Sequence, residues 1–435
     1  MFGEGISAGP RKRKAGDKRW TTLGGYFQTL EKKGVAVNFA SLVGATTVRD
    51  YVLGNVNRAP SAPELAQMKK LVQVAMQEGA MGLGSSLIYA PAAFASTNEL
   101  IALAEVAGSY GGIYATHLRS ESDDILPALS EAFRIGYEAK IPVEIYHLKI
   151  NHARNWGKID SVLQKIDSAR AAGLRVTANM YPYKASGTGL TARLPTWVQE
   201  GGITAMCQRL KSPEVRNKVL FEMRNGIPIR NSDPADVMLL GFKKDSLSRM
   251  YAGKRLDEVA RSHGKDADET VIDLVVADRS SVPAMYFLIS EENMKRMMGL
   301  PYVSFCSDAA SVAAEKPFTD ELTHPRVYGS FARVLGKYVR EEQLMPLEEA
   351  IRKLTSLPAH NLKIARRGRL QVGHYADVVV FDAATIRDLA TYENPHQYAE
   401  GVRHVFVNGQ WTLKEGTFTG ALAGRCVRGP GWRKR

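Results

Sequence analysis

His117 and His147 lie 30 residues apart, and each closes a short apolar run of the kind that forms a β-strand. That spacing is about one strand, one helix and their connections, so the two imidazoles would finish adjacent parallel strands and could share one ion. Asp308 closes a third such run, Phe305-Cys306-Ser307-Asp308. A carboxylate there would serve as a metal ligand or a general base, or it would simply cap the helix or turn that follows. Neutral imidazoles and a carboxylate around an ion with an open position are what a hydrolase uses to activate water. His152, His263, His360, His374, His396 and His404 read instead as ordinary buried or surface histidines.

The elements that must position these residues alternate. Val35 to Val43, Met81 to Leu87, Gly111 to His117, Ile141 to His147, Leu174 to Tyr181 and Tyr302 to Asp308 are short and apolar, as strands of a parallel sheet would be. Between most of them, Glu64 to Gln77, Thr97 to Ser109, Ile125 to Ala139 and Val162 to Ala172 carry apolar residues at three- and four-residue spacings, the stripe of a helix packed on a sheet. Repeated βα units of this kind point to a (β/α)8 barrel, in which the C-terminal strand ends, where the two histidines and Asp308 fall, face the active site. From about 187 to 284 the alternation breaks into helices and irregular pieces, too long for an ordinary connection, and reads as an inserted lid. After a helix at Leu347 to Asn361 the chain turns β-rich, at Gly368 to Gly373, Ala376 to Phe381 and Val402 to Trp411 with a turn at Asn408-Gly409. The expected organisation is therefore a catalytic unit over 1–365 and a small β unit over 366–435.

Composition excludes several classes. The 435 residues are 45% hydrophobic and 24% charged, which is globular, and no apolar run approaches the ~18 to 20 residues that cross a bilayer. Cys207, Cys306 and Cys426 have no paired spacing, so neither a disulfide framework nor a cysteine zinc cluster is expected. With basic residues following the apolar ones at the N-terminus there is no secretory signal pattern, and the expected location is cytoplasmic. The net charge of +13 raises nucleic acid as a partner, but the basic residues cluster at Arg11 to Arg19 and Arg433 to Arg435 without a recognition motif, so no specific nucleic-acid binding is expected.

Several stretches together resemble the D-aminoacylase branch of the amidohydrolase superfamily. They are Thr116-His117-Leu118-Arg119-Ser120-Glu121, His147-Leu148-Lys149, Asn155-Trp156-Gly157, Tyr181-Pro182-Tyr183, Ser307-Asp308 and His324-Pro325-Arg326-Val327-Tyr328-Gly329-Ser330-Phe331. The stretches Gly368-Arg369-Leu370, Ala376 to Asp382 and Val407-Asn408-Gly409 are similar to that family's small β-sandwich. The resemblance implies zinc-dependent hydrolysis of N-acyl-D-amino acids, small-molecule substrates, to a carboxylate and a D-amino acid. It implies that His117 and His147 bind the zinc, that Asp308 is the general base and acid beside it, and that Lys149, Tyr181, with Tyr183 as its alternative, and Arg326 hold the substrate α-carboxylate. Members usually add a cysteine ligand in a Gly-Asn-Cys-Gly-like turn; the matching Gly3-Glu4-Gly5 puts Glu4 there, and a carboxylate oxygen is an acceptable zinc ligand.

The sequence also departs from the family. Its members carry a His-x-His pair on the first barrel strand, and none occurs here. The expectation is an incomplete barrel that begins after that strand, with one tightly held zinc and lowered stability, since a missing strand leaves an unpaired edge on each neighbour. Two alternative functions follow: a truncated or impaired amidohydrolase-fold protein, and a cyclic-amide hydrolase using the same metal chemistry, although no candidate for the bridging carbamylated lysine of such enzymes is apparent.

Overall fold

The computed structural model describes residues 22–225 and 232–433. Six strands form one parallel sheet: β1 (Val43–Gly44), β2 (Gly82–Ser86), β3 (Ile113–His117), β4 (Val143–Ile145), β5 (Val176–Met180) and, after an excursion through β6 (Ser186–Gly189), β7 (Val237–Leu239) and β8 (Pro283–Tyr286), β9 (Val303–Phe305). The order is β1-β2-β3-β4-β5-β9, and every neighbouring pair is parallel. Helices Ala62–Glu78, Thr97–Ser109, Ile125–Glu138 and Ile159–Ala171 return the chain between successive strands from β1 to β5. They begin where short polar side chains take up free backbone donors: Ser61 and Glu64 form a capping box, and Ser96 accepts from the Glu99 amide. Their buried faces, with Met68, Val72, Leu103, Leu129, Ile135 and Ile166, close on Leu83, Tyr114, Val143, Ile145 and Val176 of the sheet in one continuous core. This is the expected α/β barrel arrangement in incomplete form: among the described residues β1 and β9 are the sheet's edges.

The segment between β5 and β9 has its own centre. β6, β8 and β7 make a three-stranded antiparallel sheet, and Leu190, Val198, Met223, Leu256, Val259, Val275 and Tyr286 pack around it as a second core. Near the C-terminus, β10 (Val378–Phe381), β11 (Val402–Val407), β12 (Gln410–Lys414) and β13 (Thr417–Phe418) form an antiparallel four-stranded sheet. β11 and β12 join through Asn408 and Gly409, both at positive φ, which a tight hairpin requires. No described helix is long and apolar enough to cross a membrane.

Three expectations are corrected. The stretch Val35 to Val43 contributes only its last residue to the sheet, because its earlier backbone groups bond to the C-terminal segment: Val35 accepts from Gly424, and Phe39 exchanges bonds with Arg425 and Val427. Gly368 to Gly373 forms turns rather than a strand; both glycines sit at positive φ, which interrupts an extended ladder. The helix expected over Leu347 to Asn361 is two, Leu347–Leu354 and Ser356–Asn361. Pro358 has no amide to donate to Leu354, so an unbroken helix is disfavoured there.

Candidate active site

The C-terminal ends of the strands carry the chemistry-bearing side chains into one cavity of about 480 Å³. His117 is the last residue of β3, and His147 follows β4 by two residues. The His147 amide donates to Asn179 Oδ1 on β5 at 2.8 Å, and Asn179 in turn donates to buried Glu144 on β4 at 2.9 Å. A layer of polar side chains inside the sheet thus fixes where His147 leaves its strand. His147 has φ 37° and Asp308 φ 47°, left-handed conformations that cost a non-glycine residue of order 1 kcal/mol or more. Both turn the chain sharply, so the side chains reach inward.

The two histidines meet. His117 Nδ1 stands 2.9 Å from His147 Nε2, ring centroids 4.5 Å apart and nearly perpendicular. On their far sides lies Glu121, with Oε1 3.0 Å from His147 Nδ1 and Oε2 3.7 Å from His117 Nε2, the latter beyond hydrogen-bond length. Lys149 Nζ is 2.5 Å from Glu121 Oε1, 2.7 Å from His147 Nδ1 and 3.1 Å from the His147 carbonyl oxygen. Burial pushes His117 down to about 3, against the pull of Glu121, so its imidazole is neutral at pH 7. Burial works to raise Glu121, but His117, Lys149 and His147 outweigh it and hold the carboxyl well below its usual range.

Across the cavity, Asp308 Oδ2 is 2.7 Å from an Arg326 terminal nitrogen, and the guanidinium lies 4.6 Å over the Tyr181 ring. The short ion pair lies outside hydrogen-bond geometry, for that same nitrogen has no hydrogen-bond acceptor among the described residues. Asp308 is held below its usual value: burial opposes ionisation, but Arg326, His147, Lys149 and His117 prevail. Buried Tyr181 Oη also lacks a hydrogen-bond partner among the described residues, and burial raises its pKa well above the ordinary value, so it faces the cavity as a neutral donor. Behind Arg326, His324 Nδ1 accepts the Arg326 amide at 3.0 Å while Nε2 donates to the Ala185 carbonyl at 2.9 Å. The far wall comes from Tyr89 and from β6, whose Thr188 hydroxyl is 2.8 Å from that of Tyr89.

Of the residues singled out in the sequence, the cavity collects His117, His147, Asp308, Lys149, Tyr181 and Arg326. Glu4 lies outside the described residues. Glu121, Tyr89, Thr188 and His324 were assigned no role from sequence, although Glu121, four residues after His117, and His324, two before Arg326, each stood in one of the motifs.

The donor set fits a divalent metal. Each imidazole has one nitrogen beside Glu121 and its other nitrogen facing the partner ring. Without an ion the inner two share a proton in a 2.9 Å hydrogen bond, and with their protons moved to the outer nitrogens both would offer lone pairs to a single cation between them. Tetrahedral zinc places nitrogen ligands roughly 3.3 Å apart, a ring rotation of a few tenths of an ångström away. Among the described residues, His117, Glu121 and His147 are also the group of potential ligands that comes together tightly enough to hold an ion.

Comparison with known proteins gives this geometry a lineage. Residues 203–412 match the family model described as amidohydrolase family. A D-aminoacylase of Alcaligenes xylosoxydans xylosoxydans is 35% identical over 414 residues, 95% of this chain and 75% of that protein. An N-acyl-D-glutamate deacylase of the same organism is 34% identical over 88% of this chain and 68% of its own length. The structure of an N-acyl-D-glutamate deacylase from Bordetella bronchiseptica, complexed with zinc and a phosphonate mimic of the tetrahedral intermediate, superposes with a TM-score of 0.77 at 30% identity, covering 94% of this chain and 75% of that one. The chain belongs to the D-aminoacylase family of amidohydrolases.

Proposed function

We propose that the protein is a zinc-dependent amidohydrolase that hydrolyses N-acyl-D-amino acids to a carboxylate and a D-amino acid. The observation that carries this reading is the meeting of His117 Nδ1 and His147 Nε2 in a cavity whose opposite wall holds Asp308 and Arg326. The D configuration is supported by the relatives alone.

His117 and His147 would hold the ion, and Glu4 is the further candidate from the sequence. Zinc, when bound, supplies Lewis-acid polarisation of the scissile carbonyl and acidifies the attacking water. The remaining work falls to side chains. Asp308, ionised at neutral pH and at the cavity wall, takes the proton of the attacking water and returns it to the amide nitrogen as the C–N bond breaks. Arg326 turns from Asp308 to the substrate α-carboxylate, a fork matched to two oxygens. Tyr181 donates its unengaged hydroxyl hydrogen to a substrate oxygen, and Lys149 adds positive charge on the same side.

The reading is tested by elemental analysis and hydrolysis of N-acetyl-D-leucine against its L enantiomer. About one zinc per chain and turnover confined to the D substrate are expected. His147→Ala should lose the zinc and at least about 10³-fold in kcat/KM, as loss of a metal ligand does. Zinc-free protein with undiminished hydrolysis would refute the proposal.

A further inference from the structure

Glu121 is close enough to both imidazoles to be taken for a third ligand. Its surroundings say otherwise. The ring nitrogens beside it, His117 Nε2 and His147 Nδ1, are the opposite ones to those that face each other. An ion bound by Glu121 would have to sit on that outer side, where the Lys149 ammonium already stands 2.7 Å from His147 Nδ1 and 2.5 Å from Glu121 Oε1. A dication and an ammonium cannot share that space without strong repulsion.

We propose that Glu121 is a positioning residue for the metal centre: standing behind both imidazoles, it fixes His147 with the proton on Nδ1 and turns His117 Nδ1 and His147 Nε2 toward one ion, without binding that ion itself. The inference rests on the reading of His117 and His147 as metal ligands. His147 Nδ1 has two neighbours, and the assignment of its proton follows from their needs. Without an ion the Lys149 ammonium, which can only donate, is hydrogen-bonded to Nδ1 at 2.7 Å, but Glu121 Oε1 and the His147 carbonyl offer it oxygen acceptors to which it can turn. When Nε2 takes an ion the ring proton must lie on Nδ1, and Glu121 Oε1, 3.0 Å away, is the acceptor within its reach. The carboxylate is itself held, by Lys149 on Oε1, by Asn151 Nδ2 at 3.4 Å on Oε2, and through its own carbonyl oxygen, which accepts the Asn151 amide at 2.8 Å. A carboxylate behind a ligating histidine fixes its tautomer and raises its basicity, and loss of such a partner weakens metal binding by about 10- to 100-fold.

The test is zinc affinity by chelator competition, together with the visible spectrum of the cobalt(II) protein, on wild type, Glu121→Gln and Glu121→Asp. Glu121→Asp keeps the charge opposite Lys149 and therefore remains informative if Glu121→Gln does not fold. Expected are zinc affinities about 10- to 100-fold weaker in Glu121→Gln and less reduced in Glu121→Asp, with cobalt bands of unchanged position and intensity. Affinity within twofold of wild type in both variants overturns the inference while leaving the metal site intact. Altered cobalt bands with an affinity loss as deep as that of His147→Ala overturn it too, by making Glu121 a ligand. Wild type that neither binds zinc nor hydrolyses an N-acyl-D-amino acid overturns the proposed function, and this inference with it.

Discussion

Asp308 and His147 occupy left-handed backbone at the points where their side chains enter the cavity, and that conformation decides which substitutions report on chemistry. Asparagine tolerates this region better than most residues, so Asp308→Asn removes the charge with little added strain, whereas alanine changes both. Asp308→Asn should keep its zinc and lose about 10²- to 10⁴-fold in kcat, the range of a general acid–base group, as steady-state kinetics on zinc-loaded protein would show. Residue chemistry also sets how stability varies with pH. Burial holds His117 at about 3, His152 at about 4 and His324 well below its ordinary value. Stability from such neutral histidines is complete above an unfolded pKa of about 6.5 and is lost as pH falls toward the folded value, about 2 kcal/mol each for His117 and His152 at pH 5. Glu144, pushed by burial up to about 7, acts in the opposite direction and returns roughly 2 kcal/mol over the same interval. The metal-free protein should therefore have a lower urea midpoint at pH 5 than at pH 7.5; an equal or higher one would contradict these environments.

Strand and helix placement explains which parts of the site could be read from sequence. The pair His117 and His147 was legible because parallel β3 and β4 put successive strand ends side by side, and a spacing of one βα unit records that. Asp308 was legible as a strand-end carboxylate, but nothing in the run Phe305 to Asp308 announces Arg326, which arrives on a helix beginning 18 residues later and needed the family resemblance. Glu121 was not assigned because it follows β3 in a loop, where periodicity is silent. The same limit hid β6, a strand of small residues, Ser186-Gly187-Thr188-Gly189, with no apolar alternation. Packing between elements is strict where the strands touch. A Cβ on Gly82 of β2 would lie 2.0 Å from the Ile113 carbonyl oxygen of β3, so Gly82→Ala should destabilise by about 3 kcal/mol or lower the yield of folded protein, checked by chemical denaturation. The β6 wall gives a test of selectivity. Among the described residues the cavity's non-histidine cations are Lys149 and Arg326, which already face Glu121 and Asp308, so these residues can match one substrate carboxylate but not a second. N-acetyl-D-leucine should therefore exceed N-acetyl-D-glutamate in kcat/KM, and Thr188→Arg should shift that ratio toward the glutamate substrate by about tenfold or more, the effect of one new charge-assisted contact.

At the scale of the whole molecule, the sequence indicated an open barrel with an inserted segment and a β unit, and the described sheet has that form, with β1 and β9 at its edges. What composition and periodicity did not convey is how the segment between β5 and β9 is built, because its core depends on contacts between helices far apart in the chain. That core stands apart from the one beneath the parallel sheet, yet β6 shares the cavity with the strand ends. The two halves of the site thus draw their rigidity from different packing. One consequence concerns descent rather than energetics. Substitutions can accumulate in the wall that meets the substrate without disturbing the strand ends that hold its reacting bond, so one inherited chemistry can be fitted to a succession of new side chains.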